Sequence, residues 1–357
     1  MPNNGQVGAT FAKEEFVSVV HEENKSGPIE QMQTMLAGHF VAQSLHVVAV
    51  LGIADLIKKG HETTEQIALA AGCHAPSLNR ILCTLASMGV FTRDAAGCFG
   101  LTPLGETLRS DVQGSLRDKA LFEISQPMWS AWGSCLDCVR TGRPSFDQVH
   151  GIPLWQYLAS HSEIRAIFNR FMTSQSQLHN AAIIESYDFS NVQTLIDVGG
   201  GHGGTLAAVL AQYPSMRGVL FDLPNVVTPA SKMETSRFSE RCEVVGGDMI
   251  HSVPPGGDVY IIKRVMMDLN DDEAVHVLGN CISAMKRDGK ILILDPMLPD
   301  GTVPHPNRLV DLHMMNVTSG QCRTEGQFRE LYKASGLTLT RTIATRSPNF
   351  ILEGSRP

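Results

Sequence analysis

No apolar run in this chain is long enough to cross a bilayer. The longest, Val47 to Ile57, is broken by Asp55, whereas a spanning helix needs about 20 apolar residues. The N-terminus is polar and carries Glu14 and Glu15, without the basic-then-apolar order of a secretory leader. The eight cysteines are scattered. Cys135 and Cys138 are the only close pair. They lie in a helical pattern with no second pair at zinc spacing, which reads as two small apolar groups. No metal site is expected, and a reduced cytoplasmic protein is the simplest reading. Positive charge is also scarce. The net charge is −7, which disfavours a nucleic-acid or anionic-membrane partner.

What is present is glycine in one place. Thr194-Leu195-Ile196-Asp197-Val198-Gly199-Gly200-Gly201-His202-Gly203-Gly204 runs from an apolar segment into a glycine turn, and an Ala-rich stretch follows from Thr205 to Leu210. This reads as strand, loop, helix, with glycines that let a ligand approach the backbone. Gly199, Gly201 and Gly204 satisfy the dinucleotide spacing, with Asp222 about 20 residues on. Asp197, however, stands where a pyrophosphate would be repelled. A cofactor with cationic groups and no phosphate fits better, and S-adenosylmethionine is one. Phe221-Asp222-Leu223-Pro224 ends the next strand with an acid suited to ribose hydroxyls. Gly246-Gly247-Asp248-Met249 ends a third, where Asp248 suits an adenine amino group and Met249 its ring face.

The 357 residues leave room for about two domains. Residues 1–28 read as an arm. Residues 29–110 read as a helical winged-helix domain, with a capping box at Thr63 and Gln66 and a helix opened by Pro76. That helix is expected to present Leu78, Ile81, Leu82, Leu85 and Met88 on one face and to end at Gly89. A hairpin spans Val90 to Leu101. Between Gly60 and Gly105 the only basic residues are Arg80 and Arg93, too few for phosphate-backbone binding. The wing is therefore read as structural or dimer-forming. Residues 111–187 read as connecting helices along a substrate pocket, and residues 188–357 as a doubly wound α/β cofactor domain. The acids Asp268, Asp271, Asp272 and Glu273 read as a helix start rather than a metal site.

Together with Phe168-Asn169-Arg170-Phe171-Met172 and Asp258-Val259-Tyr260-Ile261-Ile262-Lys263, these motifs resemble the small-molecule methyltransferases typified by caffeate and acetylserotonin O-methyltransferases. The resemblance runs from about Gly38 to Leu352. It implies a class I S-adenosylmethionine-dependent enzyme: an intertwined homodimer with a Rossmann-like α/β domain behind a winged-helix dimerisation domain. Its expected cofactor residues are Asp197, Gly199, Gly201, Asp222, Leu223, Asp248, Met249, Lys263 and Ser176. Its expected pocket residues are Met128, Trp129, Phe168, Met172, Met267, Asp268, Met314, Met315 and Cys322.

One departure bears on the chemistry. The family reads Leu-His-Asp-Trp after the lysine strand, and the His is the general base. Here the stretch is Met266-Met267-Asp268-Leu269, so Met267 stands in the base position. Of the two carboxylates that bracket the base in the family, Asp295 survives and Cys322 replaces the other. A neutral phenol has a pKa near 10 and gains about 10²–10⁴-fold from a base. A ring nitrogen needs none, and alignment alone supplies much of the rate. The segment Asp311-Leu312-His313-Met314-Met315 resembles phenazine N-methyltransferases, which also lack the His. The expectation is therefore N-methylation of a small planar heteroaromatic metabolite, with Asp295 and His313 as the candidate catalytic residues. O- or C-methylation of an already ionised acceptor is the alternative. Two others are an S-adenosylmethionine-binding enzyme that transfers no methyl (a hydroxylase, decarboxylase or pericyclic cyclase) and a winged-helix regulator.

Overall fold

A computed structural model describes residues 27–228 and 233–357. The expected arm lies almost wholly outside them. Among the described residues no helix is long and apolar enough to cross a membrane. The chain forms two compact units. One holds the residues up to Ser130 together with His161–Gln175, and the other holds Ala131–Ser160 and Ser176–Pro357. The block 111–187, read as one set of connecting helices, is thus divided between them.

The first unit opens with α1 (Pro28–Leu36), α2 (Gly38–Val50) and α3 (Ile53–Lys58). Helices α4 (Thr64–Ala71) and α5 (Ala75–Ser87) and the hairpin β1 (Phe91–Arg93) and β2 (Phe99–Leu101) complete the winged helix. The capping box forms as read: the Thr63 side chain accepts from the Gln66 amide, and the Gln66 side chain accepts from the Thr63 amide. Leu78, Leu82 and Leu85 are buried and join Phe91, Phe99 and Ile53 in one apolar cluster. Met88 is the exception, at 49% exposure, because α5 ends at Ser87. Gly89 then takes φ +78°, a conformation that costs glycine little.

Helix α6 (Ser162–Ser186) leads into the second unit. Its sheet contains β3 (Thr194–Val198), β4 (Arg217–Asp222), β5 (Cys242–Gly246), β6 (Val259–Lys263) and β7 (Lys290–Leu298). These run parallel in the order β5-β4-β3-β6-β7. The short strand β8 (Arg323–Thr324) pairs with the end of β7. Two antiparallel strands finish the edge, β10 (Asn349–Ser355) on β7 and β9 (Thr338–Ala344) outside it. The connecting helices include α7 (Gly204–Gln212), α8 (Asp271–Ala284), α9 (Asn307–Val317) and α10 (Glu325–Ala334).

Strand residues alternate between two cores, as a period of two requires. Ile196, Tyr260, Ile262, Ile291 and Ile293 pack with α8 and α10 on one face. Leu195, Ile261, Leu292 and Leu294 pack with α7 on the other. A sheet covered on both faces leaves the carboxyl ends of its strands as the open edge. The order reverses between β3 and β6, and there such sheets bind ligands.

Tyr332 shows how tightly this sheet is packed. Its hydroxyl donates to the Leu352 carbonyl at 2.7 Å, and its ring fills the space where a Cβ on Gly354 would lie, 2.1 Å from the nearest ring carbon. The hydrogen bond keeps the ring from yielding. Gly354→Ala is expected to destabilise the chain by about 1–3 kcal/mol, as overpacked cores do. Urea denaturation measures this, and an unchanged midpoint would contradict the packing argument.

Candidate active site

The glycine loop joins β3 to α7 and is shaped by contacts that exclude side chains. Gly199, Gly201 and Gly203 have φ of +70°, +58° and +79°. A Cβ on Gly199 would lie 2.7 Å from Val265, and one on Gly200 would lie 2.7 Å from the Asp197 carboxylate. The loop is tied to β4. The Gly199 and Gly200 amides donate to the Phe221 carbonyl, and the Gly201 amide donates to Asp222 Oδ2 at 2.8 Å. Asp222 Oδ1 accepts from the Leu223 amide at 2.7 Å. Burial raises the Asp222 pKa, and these two amides oppose the rise.

Asp197 is 1% exposed, and neither of its carboxylate oxygens has a hydrogen-bond partner. Burial raises its pKa to about 6, against the pull of Lys263. Lys263, at the end of β6, is the countercharge. Its Nζ donates to Ser176 Oγ at 2.9 Å, Thr205 Oγ1 at 3.0 Å and Asn180 Oδ1 at 3.3 Å. Burial lowers its pKa to about 8, while Asp197 holds it up. Asn180 and Thr205 had no signature in the sequence beyond lying one turn from Ser176 and just past the glycines. His179, beside them on α6, is also buried with Nδ1 unpartnered. Burial lowers its pKa to about 4, with Lys263 and Arg264 adding to the effect.

At the end of β5, Asp248 accepts from the Ile250 amide at 2.9 Å and faces His251 at 3.2 Å. Met249 packs partly against the core cluster, and its carbonyl accepts from Asn280.

The other half of the site follows β6. Arg264 has φ +54°, the only positive value at a non-glycine residue among those described, and a left-handed turn there is strained. Its amide donates to the Leu294 carbonyl at 3.0 Å. The 3₁₀ turn Met266–Asp268 comes next, with Met267 only 3% exposed. Two features fix this turn. Arg323 is 1% exposed and donates to the carbonyls of Met266 at 2.6 Å and Leu269 at 2.9 Å, and to Asp271. Gly320 lies so close that a Cβ there would sit 2.1 Å from the Met267 carbonyl oxygen. The acids that follow start α8 as expected, with Asn270 and Glu273 forming a capping box.

Asp295, on β7, is fully buried with both oxygens unpartnered. Burial raises its pKa to about 6 against the nearby Arg264 and Arg323 charges. Asp268 is pushed up to about 8 by burial and by the charge of Asp295. Cys322 is buried, and its amide donates to Asp311 at 2.8 Å. Its thiol is pushed up to about 12 by burial, then by Asp295 and Asp311, so it stays neutral.

His313 lies on α9. The Trp132 indole N–H donates to its Nδ1 at 3.3 Å, and the two rings stack with centroids 6.2 Å apart. A neutral ring that accepts at Nδ1 carries its proton on Nε2. Met314 is buried, and the Met315 carbonyl accepts from the Cys138 thiol at 3.2 Å. The same helix places Asn316 at 0% exposure, with neither amide atom hydrogen-bonded. Met128, Trp129, Phe168 and Met172 belong to the other unit, where Phe168 packs on Phe122 with centroids 5.0 Å apart.

The residues present suit S-adenosylmethionine. Asp197 is a buried carboxylate without a partner, and the glycine cradle has no room for side chains. The donor set is anionic around one lysine. When bound, the cofactor supplies an electrophilic methyl group. Asp197, Asp222, Asp248 and Lys263 are the groups that could hold it.

Asp268 and Asp295 make stability depend on pH. Their folded pKa values of about 8 and about 6 exceed the unfolded carboxylate value of about 4. Between those limits the folded chain keeps protons on these two groups that the unfolded chain has released, so their contribution to stability falls as pH rises from about 4 to about 8. Asp268→Asn is expected to lose less melting temperature than wild type between pH 5 and pH 8.5. Equal losses in a pH series of thermal melts would refute the buried pair.

Residues 132–338 match the O-methyltransferase domain family, and residues 33–111 match the O-methyltransferase dimerisation domain. A phenazine O-methyltransferase of Lysobacter antibioticus is 38% identical over 94% of this chain and 99% of its own length. The phenazine-1-carboxylate N-methyltransferase of Pseudomonas aeruginosa is 30% identical over 87% of this chain and 92% of its own. An O-methyltransferase of neocarzinostatin biosynthesis was crystallised with S-adenosylhomocysteine and 1,4-dihydroxy-2-naphthoic acid. It is 30% identical, covers 88% of this chain and 96% of its own, and superimposes with a TM-score of 0.77. With both of its domains matched and its cofactor cradle intact, the chain belongs to the S-adenosylmethionine-dependent O-methyltransferase family with an N-terminal dimerisation domain.

Proposed function

We propose that this methyltransferase acts on a planar heteroaromatic metabolite of the phenazine class, and that the methyl goes to a ring nitrogen. The observation that carries this reading is Met267. It fills the base position, is buried at 3% exposure, and bears a thioether that accepts no proton at neutral pH. The Nδ1 of His313 accepts from Trp132, which weighs against that imidazole as the base. A ring nitrogen brings its own lone pair, so holding the acceptor in line does the work. The two phenazine-methylating relatives support the acceptor class. The dimerisation domain supports a homodimer, and eight unpaired cysteines suit a cytoplasmic enzyme.

In this mechanism the chain binds and orients. Lys263 and Asp197 hold the cofactor. Met267 and Met314 form an apolar wall for a flat ring. Asp295 accepts a hydrogen bond from an acceptor substituent. One observation favours a second reading. Asp268 has a pKa of about 8, close to what an efficient general base needs at neutral pH. With Asp295 it would take the proton of an acidic hydroxyl, giving O-methylation.

S-Adenosylhomocysteine release, measured across phenols and phenazine carboxylates, separates the readings. Nitrogen methylation predicts turnover of phenazine carboxylates already at about pH 6, with no requirement for a group that loses its proton near pH 8. It also predicts a loss below about 100-fold for Asp268→Asn, the low end of general-base contributions, and no gain for Met267→His. Turnover of phenols alone, rising through pH 8 and abolished by Asp268→Asn, would establish the second reading instead. A product formed without S-adenosylhomocysteine would mean a reaction that transfers no methyl.

A further inference from the structure

Glu234 has no place in the motifs described so far. It opens the 3₁₀ turn Glu234–Phe238, and this turn covers the glycine loop. The Glu234 amide donates to the His202 carbonyl at 2.8 Å. Thr235 packs on Gly203, 2.8 Å from where a Cβ would lie. The Glu234 carboxylate oxygens lie 3.2 and 3.3 Å from the Cβ position of Gly204, directly over the first residue of α7. Glu234 is half-buried, and its carboxylate accepts no hydrogen bond from the described residues. Burial raises its pKa, while Arg237 and Lys263 pull it down.

The surroundings say what it would bind. Asp197 lies under the same loop, 1% exposed and with both oxygens unpartnered. Asp222 borders the loop through the Gly201 amide. Asp197 and Glu234 both act on Lys263, whose ammonium is already engaged by Ser176, Thr205 and Asn180, and Arg237 is the other cation near Glu234. An excess of buried negative charge is costly unless a cation completes it. The cofactor carries a primary ammonium on its amino-acid end, and an ammonium offers three donors to carboxylates.

We propose that Glu234 is a cofactor-binding residue that receives the α-ammonium of S-adenosylmethionine above the glycine loop, opposite Asp197. The bland alternative is a charge that only steadies the start of α7 through the helix dipole. That role would affect folding and leave ligand binding alone.

Calorimetric titration of the unliganded protein tests this with two probes, S-adenosylhomocysteine and 5′-methylthioadenosine. The second has the adenosine and the sulfur but no ammonium. Glu234→Gln is expected to weaken S-adenosylhomocysteine binding by about tenfold or more, the scale of a charge-assisted hydrogen bond. Binding of 5′-methylthioadenosine is expected to stay within about twofold, since it lacks the group that Glu234 meets. Glu234→Asp, which keeps the charge, is expected to recover part of the loss. Equal weakening of both probes, or of neither, would overturn the assignment, and a lowered melting temperature with unchanged binding would establish the helix-steadying role. Wild-type protein that binds neither probe would instead overturn the cofactor site as a whole.

Discussion

Burial of ionisable groups along one edge of a parallel sheet is the constraint on which the rest of this structure depends. Asp197 and Lys263 stand near the ends of β3 and β6, Asp295 lies within β7, and Asp268 lies just beyond β6. Each pays desolvation, and each shifts toward its neutral form. Internal partners compensate unevenly. Lys263 has three oxygen acceptors, whereas among the described residues no group lies within good hydrogen-bonding geometry of the Asp197 or Asp295 oxygens. A fold that only needed stability would replace such groups with apolar ones at little cost. Their position at the topological switch of the sheet ties the uncompensated charge to ligand binding.

The same edge is built by leaving side chains out. Gly199 and Gly200 admit Val265 and the Asp197 carboxylate to within 2.7 Å of the missing Cβ positions. Gly320 does the same for the turn that carries Met267 and Asp268. Arg323 grips that turn through the carbonyls of Met266 and Leu269. The peptide at the base position is thus held from two sides, neither of which involves the Met267 side chain. The backbone of this turn is therefore held independently of the side chain at position 267.

Local features were legible in the sequence because they depend on near neighbours. The Thr63 capping box, the Gly89 stop, the α8 start and the strand–loop–helix around Asp197 are all set within a few residues. The roles of Ser176 and Lys263 came through resemblance, and the structure joins their side chains directly. What stayed hidden depends on distant segments. Arg264 gives no sequence sign of its left-handed backbone. Arg323 looks like a surface cation until β8 pairs with β7. Asn180, Thr205 and Glu234 converge on the loop from separate elements. Met88 was misjudged because helical periodicity continues past the point where the chain leaves the helix. The division of residues 111–187 between two units depends on packing that no periodicity encodes.

Charge also bears on which atom receives the methyl. Methylation of a neutral ring nitrogen moves positive charge from sulfur to nitrogen, so a cation persists in the enclosed site. Methylation of a phenolate cancels the two charges and leaves the buried carboxylates facing a neutral product. In a medium of low dielectric that difference is large. Burial raises both acids, and the charge of Asp295 raises Asp268 further, so the pair resists carrying two negative charges. A negative charge on the pair stabilises a cation forming beside it, and most of all one spread over an aromatic ring. A histidine base in place of Met267 would become cationic on taking a proton and would oppose that cation. The missing imidazole and the retained acid pair thus favour the same outcome: the site accommodates a product that carries positive charge.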